Sequence, residues 1–217
     1  MVIIMKFLSN LGIEVKNENL LMEALTHSSY ANEHENTKFY ERLEFLGDAV
    51  LQLASSDYFY KKCDLNEGQM SKTRASYVCE NALYEYSNKI GLTPNIRVGN
   101  GTEKTPSIVA DCFESVLAVI YLEHGFSVAK KYVLGIIAPY VEAGVKFITD
   151  YKSYLQEMVQ PERTTIEYVV TEEVGPANDK TFTIDVLIDG IRYGTGTGKS
   201  KKSAEQNAAK DAIGKIA

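Results

Sequence analysis

Over the first two-thirds of the chain, apolar residues recur every three or four positions, the period of helices that turn one face to a core. Residues 19–26 place Leu20, Leu21, Ala24 and Leu25 at that spacing. Residues 39–60 sustain it longest, with Leu43, Leu46, Val50, Leu53 and Ala54 on the core side. A polar loop at 61–68 follows, and Ala75, Val78, Leu83 and Tyr86 then predict one long helix over 69–90. Gly and Pro punctuate 91–107, which reads as loop, and the segments 108–124 and 128–147 complete the helical set.

Near residue 150 the period changes. Residues 151–160 form a short amphipathic pattern, and after Pro161 the chain alternates, first through Ile166, Tyr168 and Val170, then through Phe182, Ile184, Val186 and Ile188. Asp189-Gly190 between apolar runs predicts a tight hairpin, because Gly accepts the positive φ such a turn needs. A third strand is expected over 191–194, and Ala204, Ala208, Ala212 and Ile216, four apart, predict a closing helix over 199–216. The expected fold is therefore a mainly α helical bundle over 1–149, followed by a small α+β domain of α-β-β-β-α order over 150–217.

Composition adds little to this picture, since 45% apolar and 24% charged residues are ordinary for a globular protein. The opening MVIIMKFL is too short for a signal peptide or a membrane span, and the chain reads as cytoplasmic, with no membrane partner. Cys63, Cys79 and Cys112 are odd in number and contain no C-x-x-C pair, so reduced thiols are expected rather than disulfides or zinc. A net charge of −6 argues, taken alone, against a polyanionic partner. Neither part is basic: residues 1–149 carry 14 Lys and Arg against 18 Asp and Glu, and residues 150–217 carry 9 against 11.

Charge becomes informative when its positions are considered. Glu41, Glu44 and Asp48 are spaced i, i+3, i+7 and share one helical face beside core leucines. Asp111 and Glu114 repeat the i, i+3 spacing on a helix marked as largely buried by Val116, Leu117, Val119 and Ile120. Carboxylates without accompanying His or Cys suit Mg²⁺ or Mn²⁺, ions that promote phosphodiester hydrolysis and would cancel much of the local negative charge. On these residues alone, salt bridges to Arg42, Arg74 or Lys72, or simple solvation, account for the acids equally well.

The run YERLEFLGDAVL at 40–51, with ALTHSSY at 24–30 and SIVADCFESVLAVIYLE at 107–123, resembles the bacterial ribonuclease III family. The α-β-β-β-α tail resembles that family's double-stranded RNA-binding domain, so the likeness spans nearly the whole chain. It implies a helical endonuclease domain in which Glu44, Asp48, Asp111 and Glu114 hold metal, Asp48 and Glu114 are catalytic, and Glu41 and Glu67 are supporting acids. It implies Mg²⁺, with Mn²⁺ able to substitute, and a homodimer that cuts both strands of duplex RNA, leaving 5′ phosphates, 3′ hydroxyls and short 3′ overhangs. Processing of ribosomal and messenger RNA precursors is the expected role. Phe39, Tyr40, Phe45 and Leu46 offer apolar area around the signature for such a dimer.

In the tail, the resemblance implies recognition of A-form RNA by shape. Ser153, Gln156, Glu157 and Gln160 on the first helix suit one minor groove, and the loop 175–182, with Asn178 and Lys180, suits the next. Lys199, Lys201 and Lys202 at the start of the last helix can meet phosphates, aided by helix-terminal N–H groups. Two departures from the family pattern stand out: Asn178 replaces the usual His of a Gly-Pro-x-His loop, and GNGTEKTPSI lacks a Gly-Gly-Arg run. GTGTGKS at 194–200 is not a nucleotide-binding loop, because Tyr193 stands where the phosphate-binding motif needs Gly, so no nucleotide cofactor is expected. His27 reads as structural. The readings that compete with an endonuclease are a non-cleaving double-stranded RNA-binding protein and a helical domain with a structural cation.

Overall fold

Several helices begin where a side chain can accept from an otherwise unpaired backbone N–H. Asn17 accepts from Leu20 N, Thr105 from Ile108 N and Asp150 from Ser153 N. Asn66 and Gln69 form a reciprocal capping box. The computed structural model describes residues 8, 12–145, 147–162, 164–176 and 179–216. Two compact units emerge, Met1–Phe147 and Ile148–Ala217, each with its own apolar core. The opening MVIIMKFL lies outside the described residues, except for Leu8.

The first unit contains α1 (Glu18–Ala24), α2 (Ser28–Glu33), α3 (Glu41–Lys62), α4 (Glu67–Tyr77), α5 (Glu80–Ile90), α6 (Pro106–His124) and α7 (Phe126–Glu142). Helix α6 is its axis: Val109, Cys112, Phe113, Val116, Leu117, Val119 and Ile120 are all fully buried. Helix α3 packs along it, and Gly47 sets how closely, because a Cβ there would lie 1.8 Å from the Glu114 carbonyl oxygen. At one end of the core, Phe147 packs with Tyr77, Tyr86 and Tyr140 at ring-centroid distances of 6.1, 5.5 and 5.6 Å.

Several sequence expectations change here. The helix expected over 69–90 is two helices, broken at Val78 and Cys79, with the Tyr86 hydroxyl donating to the freed Tyr77 carbonyl at 3.2 Å. Helix α2, unanticipated, starts at His27, whose Nδ1 accepts from Ser29 N. Helix α7 stops at Glu142 rather than 147: Gly144 adopts φ +66 and Val145 N donates back to Tyr140 O at 3.0 Å, a glycine-type termination. Leu53 is 57% exposed, so it does not face the core. Within 91–107 there is a short 3₁₀ turn, Thr93–Asn95, and a parallel bridge between Thr26 and Arg97.

The second unit follows the expected order, with α8 (Tyr151–Val159), a 3₁₀ turn Gln160–Glu162, β1 (Ile166–Val174), β2 (Thr181–Ile188), β3 (Ile191–Gly198) and α9 (Lys201–Ile216). The sheet is antiparallel in the order β1-β2-β3, and Asp189 (φ +49) and Gly190 (φ +79) make the two-residue turn that pairs Ile188 with Ile191. Val170 stays in register opposite Ile184 but is exposed, not packed inward with Ile166 and Tyr168, and a bulge follows between it and Glu172. Strand β3 extends four residues beyond the expected 194. Gly194 and Gly196 lie against α9, where an added Cβ would come within 2.4 Å of Ala208 O and 2.1 Å of Ala208 N respectively. The GTGTG run is thus a packing surface for the alanines of α9, and Ser200, accepting from Ser203 N, delays that helix to 201.

Candidate metal centre and RNA-binding surface

The Gly47 contact places the acid-bearing stretch of α3 against that of α6. Glu44 and Glu114 are partly buried, Asp48 is exposed, and the carboxylates act on one another. Burial, then the charges of Asp48, Glu44 and Asp111, push the Glu114 carboxyl up to about 8. Burial also raises Glu44, with Asp111, Glu41 and Asp48 adding to it. Asp111 is raised by burial and by Glu80, while a hydrogen bond from Tyr40 and the nearby His27 work in the opposite direction. Across the α3–α6 contact, Glu44, Asp48 and Asp111 thus bear on Glu114, and Glu41 bears on Glu44.

The salt-bridge account of these acids fails on the partners. Arg74 donates to Ser56 Oγ at 2.7 Å, and among the described residues no ion pair involves any of the five acids. Gln52 Nε2 donates to Asp48 Oδ1 at 3.1 Å, leaving the other oxygen available. Three such side chains do not close around one point as ready-made ligands among the described residues. The fit to a metal instead rests on the donor set: hard oxygens only, repelling one another and held in no ion pair among the described residues. Glu67 stands apart. It is exposed in the first turn of α4, accepts from Ser71 Oγ at 3.1 Å and lines a cleft with Tyr60 and Met70.

Tyr40 was missed as a site residue and is placed differently from its expected role as exposed dimer surface. It is 3% exposed, and its hydroxyl donates to Asp111 Oδ2 at 3.2 Å. Burial, then the charge of Asp111, hold that hydroxyl above its ordinary range, so it remains a donor. Its neighbours divide: Phe45 is 82% exposed, Phe39 borders on exposed, and Leu46 packs partly against the core.

In the second unit, Ser153, Gln156, Glu157 and Gln160 all lie on the exposed side of α8 and its last turn, opposite Leu155 and Val159. Ser153 Oγ is already engaged, donating to Asp150 Oδ2 at 2.7 Å. Lys199 pairs with Asp179 at 2.6 Å, tying the β1–β2 loop to the start of α9, and Lys180 pairs with Glu173. Lys201 lies over the Phe182 ring, 5.8 Å from its centroid, and Lys202 is exposed. The acids Glu173 and Asp179 that pair with these lysines left no signal in the sequence pattern. Asn178 lies outside the described residues.

Residues 17–141 match the family model described as Ribonuclease-III-like, and residues 151–216 match that of the double-stranded RNA binding motif. Ribonuclease 3 of Listeria monocytogenes (EGD-e) is 45% identical over 217 residues, covering 95% of each chain. Ribonuclease 3 of Clostridium acetobutylicum is 45% identical over 214 residues, covering 94% of this chain and 93% of its own. Among solved structures, the nuclease domain of Ribonuclease III from Campylobacter jejuni superposes with a TM-score of 0.57 at 39% identity, covering 63% of this chain and 96% of that one. That structure concerns flexibility in the region involved in the domain's dimer formation. With two family models in this order and relatives matched over nearly their full length, the chain belongs to the ribonuclease III family of double-stranded-RNA endoribonucleases.

Proposed function

We propose that residues 1–149 form the catalytic domain and residues 150–217 the duplex-holding domain of a cytoplasmic Mg²⁺-dependent enzyme that processes ribosomal and other structured RNA precursors. The observation that carries the proposal is the set of mutually repelling carboxylates brought up by the Gly47 contact. Glu44, Asp111 and Glu114, with Asp48, are the ligands. Metal dependence is general to the family; the all-oxygen donor set favours Mg²⁺ and admits Mn²⁺. When bound, the ion supplies an activated water and offsets charge developing on the phosphate. Asp48, exposed and with one oxygen held by Gln52, is the acid assigned to incoming water and substrate. Glu114, recessed behind it, completes the catalytic pair. Water adds across the P–O3′ bond, leaving a 5′ phosphate and a 3′ hydroxyl. Glu41 adds negative charge beside Glu44; the supporting roles of Glu41 and Glu67 are assigned by resemblance alone.

Two clusters are needed to cut two strands, and α3 provides a surface for pairing with a second copy. Phe45, Leu53 and Tyr60 are 82%, 57% and 75% exposed. At 100° per residue they fall within about 80° of one another, alongside the acid face. A homodimer through this stripe would present one cluster to each strand and leave short 3′ overhangs. In the second unit, the exposed side of α8 suits a minor groove. Phosphates replace Asp179 and Glu173 as partners of Lys199 and Lys180, a small exchange because solvent screens such exposed ion pairs. Among the described residues no helix is long and apolar enough to cross a membrane.

The test is incubation with long duplex RNA in Mg²⁺, in Ca²⁺ and in chelator. Short duplexes with 5′ phosphates are expected in Mg²⁺ only, with retarded but intact RNA in Ca²⁺. RNA that is retarded in Ca²⁺ and remains whole in Mg²⁺ would leave a binding protein without nuclease activity. Asp48→Asn and Glu114→Gln are each expected to lower cleavage by at least about a hundredfold without changing retardation in Ca²⁺.

A further inference from the structure

Tyr40 occupies the N-cap of α3 in an αR conformation and makes no side-chain cap bond. The side chain instead crosses to α6, where its hydroxyl donates to Asp111 Oδ2 at 3.2 Å. Its backbone is fixed from several sides. Tyr40 N donates to Thr26 O at 3.0 Å, and its carbonyl accepts from Leu43 N at 2.7 Å and Glu44 N at 2.9 Å. The ring is packed beside that of His27, 5.8 Å between centroids. On the other side, Ser115 Oγ donates to the Asp111 carbonyl at 2.8 Å, so the backbone that carries the carboxylate is also held.

The structure assigns to Tyr40 the positioning of Asp111: its hydroxyl occupies one carboxylate oxygen and leaves the other to face the cluster as a single-oxygen metal ligand. The inference rests on the reading of the acids as a metal site. A ligating carboxylate with a fixed rotamer loses less freedom on binding, and partners one layer out from a metal commonly contribute ten- to hundredfold in affinity. Tyr40 itself touches neither substrate nor metal. Because the same residue opens the helix that carries Glu44 and Asp48, it ties the acids of α3 to Asp111 of α6 through one hydrogen bond.

The experiment is a Mn²⁺ titration of the full chain, followed by the loss of the free-ion paramagnetic resonance signal and by calorimetry, with Tyr40→Phe, Asp111→Asn and the double variant. Tyr40→Phe keeps the packed ring and removes only the hydroxyl. Its half-saturating Mn²⁺ concentration is expected to rise on the order of tenfold. In the Asp111→Asn background the same change is expected to add no further weakening. Unchanged Mn²⁺ affinity in Tyr40→Phe overturns the inference. So does a loss equally large with Asp111→Asn, since it would mark a packing defect independent of the carboxylate. A parent chain that takes up no Mn²⁺, with Asp111→Asn making no difference, defeats the metal reading itself and this inference with it. If the parent binds and Tyr40→Phe binds as well, only the role of Tyr40 is lost.

Discussion

Asp150 performs at least two tasks with one carboxylate. It caps α8 by accepting from Ser153 N at 3.1 Å and holds Gln206 of α9 at 2.8 Å, while the Gln206 oxygen accepts from Tyr151 N. These hydrogen bonds, that of Gln206 first, draw its carboxyl down to about 2. The folded form thus favours the ionised acid. The stability this contributes is complete above the unfolded value near 4 and is lost as pH falls from there through about 2. Asp150→Ala is expected to destabilise the second unit by about 1 kcal/mol at neutral pH. The gap from the parent should narrow between about pH 4 and pH 2, as read by urea melts across that range. Lys202, exposed at the start of α9, is tested by salt dependence. Lys202→Ala should weaken duplex binding in Ca²⁺ and reduce the log–log salt slope by about one, if one phosphate contact is removed.

Helices and strands carry a different lesson, because pattern reading succeeded wherever one period ran unbroken and failed wherever a contact between elements decided the outcome. The helix of 39–60 and the alternation of Phe182, Ile184, Val186 and Ile188 were legible because burial imposes their period directly. The break at Val78 and Cys79 was not, since the helices on either side share one period and the join is held by a tyrosine hydroxyl nine residues away. The three acids of α3 and two of α6 were legible as faces. That they form one cluster depends on Gly47, whose part is visible only when α6 is placed against it. The same holds for β3, where glycines that punctuate most sequences instead permit close approach to α9. Gly47→Ala is expected to cost about 3 kcal/mol or more and to weaken Mn²⁺ binding together with stability. Gly196→Ala is expected to lower stability similarly in the second unit while leaving Mn²⁺ binding intact, and paired chemical denaturation and Mn²⁺ titrations separate the two.

For the whole molecule, the net charge of −6 misleads about the partner because it averages a carboxylate cluster with lysines gathered at one end of the second unit. A nucleic-acid-binding protein is therefore recognised here by placement of charge rather than by total charge. Separate cores in the two units carry a related consequence for synthesis. The aromatic cluster at the end of the nuclease core closes on Phe147, the last residue of the first unit. A chain ending at Gly144 should melt about 10 °C below one ending at Phe147, from the loss of a buried aromatic side chain. In a chain emerging from the ribosome N-terminus first, Glu114 is thus available well before the core around it can close. The nascent nuclease holds all its carboxylates while still unlocked, and gains its final closure only as its RNA-holding tail begins to be made.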